Sequence, residues 1–335
     1  MFKIIRIVLP LSILVAPPLA AHHSFAAIDR QSEAFVRGTV TEFQFRNPHT
    51  FIFVDVPQED GQAASWRIEG ETRNDLYRNG WRDDSLQPGD AVTVHVQPAR
   101  DPARRYARLL SVEKADGTVL AIPNEEDERG RYVEAAAESL EGVWLPVQTF
   151  AEVGAKLRSL ANEKARAELA QQTGLPPNAE CVDMAIPMRL GRAHVYEIEF
   201  ASDDLILIHG EDDAEPRRVY LDGRDHPDSI PEEEQSWTGH SIGHWEGDTL
   251  VIDTRHFKYH PGINGIGPAG SQKHLVERFT LSADGTQIVI DFVLEDREYL
   301  SDSVSHTYRW QHSPHITRLP YSCDLESAQG FLVTD

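Results

Sequence analysis

The chain has little cysteine, a deficit of basic residues and only one long apolar run. Its 335 residues include 32 lysines and arginines against 54 aspartates and glutamates, for a formal net charge of −22. This acidity argues against nucleic acids and anionic membrane surfaces as partners, because both repel a negatively charged protein. The apolar run lies at the N-terminus and no second run of spanning length follows it, so we expect no membrane span.

Cysteine is limited to Cys181 and Cys323, and neither lies in a Cys-x-x-Cys arrangement, which argues against redox catalysis. In an exported protein, a lone and widely separated pair predicts one disulfide, which restricts the unfolded chain. Two buried free thiols are the alternative. The choice depends on the compartment in which the protein folds.

The first 21 residues are typical of a secretory signal peptide. A basic start at Lys3 and Arg6 precedes the apolar run, and the small residues Ala20 and Ala21 stand before an abrupt change to polar sequence. We therefore expect a cleaved leader over residues 1–21 and a periplasmic or secreted mature protein. The remainder is long enough for one large or two modest domains, and 40% apolar content supports globular cores.

Short strands with tight turns dominate the pattern, which predicts a mainly β protein. Asp-Gly pairs recur between apolar runs, a strong hairpin signal because both central residues of the favoured turn need positive φ. These pairs begin at Asp60, Asp116, Asp222 and Asp284. Within residues 22–123, five short strands with one helix between the third and fourth predict an OB-like small barrel.

The charged, apolar-free run NEEDERG indicates an acidic linker over residues 124–137. Beyond it, about nine short strands, nearly all joined locally, predict an antiparallel up-and-down barrel over residues 138–335. One inserted helix is expected from Phe150 to Thr173. Apolar residues there roughly follow the helical period, and Gly174 with Pro176 ends it.

Gly142-Val143-Trp144, at the start of this second domain, resembles the Gly-x-Trp signature of lipocalin-like (calycin) barrels. The resemblance implies that the tryptophan closes one end of a barrel whose other end opens to a small apolar ligand. Under that implication, strand alternation directs Tyr196, Ile198 and Phe200 into the barrel as ligand-binding residues.

A second resemblance concerns the motifs Ala21-His22-His23-Ser24-Phe25, Asn47-Pro48-His49 and Pro88-Gly89-Asp90. They resemble an uncharacterised family of small exported bacterial domains that begin with Ala-His-His-Ser-Phe. The run Gly-His-Trp-Glu-Gly-Asp-Thr-Leu-Val from Gly243, with the late Tyr321-Ser322-Cys323, resembles a larger uncharacterised set of exported bacterial proteins. Both resemblances support export and architecture, and neither implies an activity.

The mature N-terminus predicts a copper site in one of two forms. Cleavage after Ala21 would start the chain at His22, whose amine and Nδ1 chelate one metal, with His49 as third ligand of an open copper brace. Cleavage after Ala20 would place His23 third, where amine, two amides and imidazole close a square plane around Cu(II) or Ni(II). The alternative is structural: a polar strand edge at His22 and His23, and a turn histidine at His49.

Histidines are dense in the segment after residue 239. The candidate acid–base residues there are His240, Asp253, His256, His260 and Glu277. At the barrel mouth they would move protons on a bound ligand, and the glycine-rich loop Lys258–Gln272 would form a lid. Solvated strand and loop histidines are the alternative.

The sequence leaves two functions open. The first is an exported binding or accessory protein, with copper at its mature N-terminus and a small apolar ligand in the second barrel. The second is a periplasmic small-molecule enzyme, a lyase, isomerase or hydrolase, that uses histidine and carboxylate groups at the barrel mouth. A structural interaction module is a third alternative.

Overall fold

The computed structural model describes residues 27–122, 135–172, 175–182, 184–192, 194–213, 215–262, 266–330 and 332. The predicted signal peptide and the predicted metal ligands His22 and His23 lie outside these residues, as does most of the predicted linker. Within the described ranges, no helix is long and apolar enough to cross a bilayer.

The N-terminal barrel has the strand order predicted for an OB-like fold. Its elements are β1 (Ala34–Gln44), β2 (Phe51–Pro57), β3 (Ala63–Glu69), α1 (Arg73–Arg78), β4 (Ala91–Pro98), β5 (Tyr106–Lys114) and the short β6 (Val119–Ala121). The parallel β3–β5 pair closes the ring that β1, β2 and β4 complete by antiparallel pairing. Val92, Val94 and Val96 alternate into its core along β4, as a half-buried strand requires.

The C-terminal barrel is a closed ring of nine strands, which confirms the predicted second barrel. These are β7 (Gly142–Pro146), β8 (Tyr196–Ser202), β9 (Leu205–Gly210), β10 (Arg217–Tyr220), β11 (His240–Glu246), β12 (Thr249–Arg255), β13 (His274–Leu281), β14 (Gln287–Glu295) and β15 (Val304–His312).

One pair in this ring departs from the expected antiparallel pattern. A closed ring with an odd number of strands cannot alternate direction throughout, and β10 and β11 are the parallel pair. Parallel neighbours need a longer crossover connection than a hairpin, which the loop 221–239 supplies. That loop carries polar residues across the outside of the barrel.

Aromatic side chains fill the interior of the second barrel. Trp144 of the Gly-x-Trp motif is fully buried, and its indole donates to the Leu140 carbonyl at 3.0 Å. The Tyr196 and Trp310 rings stack with centroids 4.3 Å apart, and the Trp310 indole donates to the Leu190 carbonyl at 2.8 Å. The indole N–H groups of Trp144 and Trp310 therefore both have an acceptor, as burial in an apolar core requires.

The insertion between β7 and β8 contains two short helices where the sequence predicts one. Helix α2 spans Ala151–Leu160 and α3 spans Glu163–Gln171. Asn162 separates them, because its side chain accepts from Ala165 N at 3.0 Å and so caps the second helix. The helical spacing of apolar residues continues across the break between α2 and α3. In the sequence, only the capping residue Asn162 indicates where the break lies.

The predicted disulfide between Cys181 and Cys323 is present, with Cα atoms 5.9 Å apart. It ties the segment after β15 to the insertion of the second barrel. This segment contains helix α4 (Leu325–Gln329) and packs on the first barrel. Asp324 N donates to the Asn47 carbonyl at 2.8 Å, so the C-terminal segment connects the two barrels.

Candidate functional site

A cluster of histidines lies on the outer face of the second barrel, at one end. Along β12 the buried residues Leu250, Ile252 and Thr254 point inward, so Asp253 projects outward. Strands β11 and β13 flank β12, and their first residues, His240 and His274, share this outer face. The loop 221–239 then brings His226 against them.

Four of these side chains form a hydrogen-bonded chain, which we call the relay: His274, Asp253, His226 and His240. The two carboxylate oxygens of Asp253 lie 2.8 Å from His274 Nε2 and 2.9 Å from His226 Nε2. His226 Nδ1 lies 2.9 Å from His240 Nδ1. Arg255 adds a further contact to Asp253, at 3.3 Å from its Nε.

The environment of the relay decides its charges. Desolvation lowers the pKa of His226, against the opposing hydrogen bond to Asp253. Desolvation also lowers the pKa of His240, helped by repulsion from His226 and His256. Burial alone would raise the pKa of Asp253, but its hydrogen bonds to His274 and His226 outweigh burial and lower it. At neutral pH, Asp253 is therefore ionised and His226 and His240 are neutral.

The charge states of these groups determine which ring nitrogens of His226 and His240 carry a proton. Ionised Asp253 only accepts, so neutral His226 carries its proton on Nε2 and accepts at Nδ1. His240 then donates from Nδ1, and its Nε2 carries a basic lone pair. The arrangement resembles other catalytic chains in which a carboxylate fixes the tautomer of a histidine, here with one more imidazole between carboxylate and base.

His240 borders a surface cleft whose walls carry aromatic side chains and charged side chains of both signs. Tyr220, Trp237 and Lys258 also line it. The Tyr220 ring stacks on His240 with centroids 5.5 Å apart, and Lys258 Nζ lies 5.5 Å from the centre of the Trp237 ring. The Trp237 Nε1, whose atom is buried, has no hydrogen-bond partner within the described ranges.

His256 is next to the relay but outside its hydrogen-bonded chain. Its ring centroid lies 6.0 Å from that of His226, and it lines the same cleft as His240. Its φ of 56° lies in the left-handed region, which non-glycine residues rarely adopt. Of the five predicted acid–base residues, the structure thus brings His240, Asp253 and His256 together.

Glu277 lies elsewhere, because it points into the barrel from β13. It is fully buried and forms an ion pair with Arg217, which is also buried. Arg217 further donates to Ser241 Oγ at 2.9 Å and to Thr254 Oγ1 at 2.7 Å. The inward-facing polar side chains of β10, β11, β12 and β13 therefore hydrogen-bond to one another inside the barrel. The barrel wall separates Glu277 from Asp253, which faces outward.

His260 also lies outside the set of residues that line the cleft beside His240. It is buried, its backbone pairs with Ala269, and its Nδ1 accepts from Gly262 N at 3.0 Å. The predicted lid Lys258–Gln272 contributes these residues to an apolar cavity beneath α2 and α3. Lys273 lines the same cavity, which we call the Lys273 cavity.

The three side chains predicted to bind an apolar ligand face the barrel interior, as the strand alternation predicts. Tyr196 and Ile198 are buried, Phe200 is partly buried, and all three pack on the barrel core. The Tyr196 hydroxyl donates to the Arg189 carbonyl at 2.6 Å. Core side chains fill this part of the interior, whereas the Lys273 cavity offers apolar space beside it.

His49 lies on the first barrel beside a buried carboxylate. Its Nδ1 is 2.9 Å from Glu69 Oε1, and the Tyr106 hydroxyl donates to the other oxygen of Glu69. His49 N donates to Ser327 Oγ at 3.0 Å, which ties this histidine to the C-terminal segment. In the part of the chain that the structure describes, no group of three or more histidine, cysteine or carboxylate residues is arranged to hold a metal ion.

Sequence reasoning missed His226 and Lys273 and left His274 out of the candidate set. His226 lies in an irregular loop, and only the parallel β10–β11 connection returns it to the barrel. His274 is next to Lys273 in sequence, and strand alternation alone indicates that the two point to opposite faces. Nothing local in the sequence marks the cavity that surrounds Lys273.

Comparison with known protein families matches residues 11–107 to one described as Family of unknown function (DUF6152). The matched range covers most of the first barrel and ends just inside β5, so that barrel is similar to an uncharacterised family. No curated protein matches the chain, and no solved structure matches it.

Proposed function

We propose that the second barrel is an acid–base catalyst for a small molecule, with His240 as the general base. The observation that carries this proposal is the relay, in which ionised Asp253 holds neutral His226, and His226 orients His240. The cleft that His240 borders provides the place for a substrate. A lyase, an isomerase and a hydrolase each need such a group, to take a proton from carbon or from water.

Within the relay, Asp253 is the group that can stabilise the positive charge formed when the base is protonated, against the desolvation that lowers the pKa of His240. When His240 Nε2 takes a proton, its Nδ1 proton can move to His226 Nδ1, and the positive charge then lies beside Asp253. The carboxylate therefore stabilises a charge that develops two rings away, in a partly desolvated site where such interactions are stronger than in water. Returning the proton lets His240 act as the general acid in a second step.

The test uses p-nitrophenyl acetate, an activated ester that reports a basic, accessible imidazole. His240→Gln is expected to lower the rate by about 10²-fold, the lower end of what a positioned general base contributes. His244→Gln is the matched control, because His244 lies on the same strand face but is exposed and pairs with Glu246. It should leave the rate unchanged.

Asp253 is a positioning residue, so its variant needs a different readout. Asp253→Asn should lower the rate and also shift the lower limb of the pH–rate profile, because the relay loses the carboxylate that stabilises protonated His240. Equal losses in the His240 and His244 variants, or an unshifted profile in Asp253→Asn, would refute a relay acting as one unit.

We propose copper binding as a second function, at the mature N-terminus and His49. A carboxylate behind a histidine fixes the ring and raises the basicity of its other nitrogen, as metal-binding histidines require. Glu69 occupies that position at His49. The intact mass of the exported protein would distinguish cleavage after Ala20 from cleavage after Ala21.

Copper content provides the direct measurement. About one equivalent is expected in the native protein, lost in a variant with His22→Ala and His23→Ala and reduced in His49→Gln. His95→Gln is the control, since His95 belongs to the same barrel, also pairs with a carboxylate, that of Glu33 at 2.8 Å, and is not one of the proposed ligands. Native protein that neither carries copper nor takes it up would rule this function out.

We also propose that the protein is exported, to the periplasm or beyond the cell. The basic and apolar leader supports this location, and so does the disulfide between Cys181 and Cys323, since disulfides persist in oxidising compartments.

A further inference from the structure

Lys273 is a buried lysine outside the relay. It immediately precedes β13, points to the inner side of the barrel wall and is 3% exposed. Its Nζ donates to the Ile186 carbonyl and lies 4.2 Å from the centre of the Phe257 ring. Lysine is almost never fully buried without a paired charge, so this position calls for a specific explanation.

No carboxylate within the described ranges lies within the 4.0 Å ion-pair distance of Lys273 Nζ. The charged groups that act on it from farther away are Asp296, Glu277 and Arg217. Asp296 accepts hydrogen bonds from Gly270 N and Glu298 N, and Glu277 is paired with Arg217. Burial without a close counter-ion lowers the pKa of Lys273 to about 7, so a large fraction of its amine is neutral at physiological pH.

The neutral amine borders apolar space. The Lys273 cavity has a volume of about 50 Å³, and its lining includes Leu157, Ala165, Ile186, Ile266, Leu294 and Tyr299. A cavity of about 150 Å³ holds the six carbons of benzene, so by proportion this one holds about two carbon atoms, which is the ethyl group that propanal carries beyond its carbonyl carbon. A neutral amine beside such a space is the arrangement that makes lysine a nucleophile toward carbonyl carbon.

We propose that the Lys273 cavity is a covalent binding site for short apolar aldehydes or ketones, captured by Lys273 as an imine. The Nζ lone pair attacks the carbonyl carbon to form a carbinolamine. Loss of the carbonyl oxygen with both amine protons as water then leaves a C=N bond, with no change in oxidation state. This site goes beyond the acid–base function of His240, since the two groups lie on opposite faces of the barrel wall.

The test traps the imine in the native protein. Propanal and cyanoborohydride are added at pH 7, and a peptide map locates the reduced propyl group. Surface lysines have pKa values near 10.4, so their neutral fraction at pH 7 is roughly 10³-fold lower than that of Lys273. Lys273 should therefore be labelled well before Lys164, whose pKa is raised by its hydrogen bond to Glu298.

Two variants separate the cavity from general amine reactivity. Lys273→Met should abolish this label, and Ala185→Leu, which adds bulk at the cavity wall, should reduce it at least tenfold while Lys273 remains. Benzaldehyde, which is too large for about 50 Å³, should label Lys273 more slowly than propanal.

Other outcomes would overturn the proposal. Label confined to surface lysines or to the N-terminal amine would show that Lys273 is structural only. Equal labelling of Lys273 in the native protein and in Ala185→Leu would show that the cavity does not admit the aldehyde. Since the native map needs no variant, the test stands even if Lys273→Met fails to fold.

Discussion

Replacing Glu277 with glutamine is expected to destabilise the protein by about 3–5 kcal/mol, because it removes one partner of a buried ion pair. Arg217 and Glu277 are 2% and 0% exposed at the side-chain level, so water cannot solvate the guanidinium that remains. Glutamine keeps one acceptor for Arg217 but removes the charge. Ser241 and Thr254 also accept from Arg217, and two neutral hydroxyls do not replace a carboxylate.

A second variant tests whether the loss of stability comes from the unpaired charge of Arg217. Replacing the pair together, Arg217→Met with Glu277→Leu, removes both charges and keeps similar volumes. Ser241 and Thr254 still hydrogen-bond to each other at 2.9 Å, so they stay partnered. Such replacements are often neutral or stabilising, so the double variant should be more stable than Glu277→Gln by about 3 kcal/mol or more.

Urea unfolding followed by tryptophan fluorescence measures both variants. Glu295→Gln is the control, since Glu295 is exposed at the end of β14 and should change stability by no more than about 0.5 kcal/mol. A stable Glu277→Gln protein that loses its esterase rate would refute the structural interpretation. Glu277 would then act in catalysis, as the sequence predicts.

Three further predictions concern the framework. Replacing Cys181 and Cys323 with serine should lower the free energy of unfolding in guanidinium by about 5 kcal/mol, because the unfolded chain is no longer restricted by a bond between residues 142 positions apart. An unchanged midpoint would contradict this. Asn162→Ala should lower stability by about 1 kcal/mol, because α3 loses its cap; thermal unfolding measures it, and an unshifted melting temperature would deny the cap a role. Burial lowers the pKa of His194 from 6.5 to about 4, so the native state favours the neutral ring and loses stability as the pH falls from 6.5 to about 4. His194→Gln should therefore reduce the dependence of the urea midpoint on pH across this window. An unchanged dependence would assign the effect to other groups.

Local sequence patterns were sufficient to predict both barrels. Strand alternation and turn residues act over a few positions, and the strands that they define pair mostly with their neighbours in sequence. The helix break at Asn162 and the parallel β10–β11 pair were not predicted. A capping asparagine inside a periodic run is a weak local signal for a helix break. A closed ring of nine strands requires one parallel pair, which the predicted antiparallel barrel does not include.

The candidate site was predicted in part for a related reason. His240 and Asp253 lie on adjacent strands, so their proximity follows from a hairpin. His226 comes from a loop whose path depends on closure of the whole barrel. Glu277 was placed with the histidines by type and nearness in sequence. Its neighbours along β13 show that it faces inward, where the decisive partner is Arg217, about 60 positions away.

Because β13 turns successive side chains to opposite faces, the two proposed sites should fail separately. His274 contacts Asp253 outside the barrel wall, whereas the preceding residue, Lys273, borders the inner cavity. Asp253→Asn should therefore slow ester hydrolysis and leave the propanal label on Lys273 unchanged. Ala185→Leu should reduce the propanal label on Lys273 and leave ester hydrolysis unchanged. If either substitution impaired both readouts while the protein stayed folded, the barrel wall would couple the sites, and neither could be assigned to a single face.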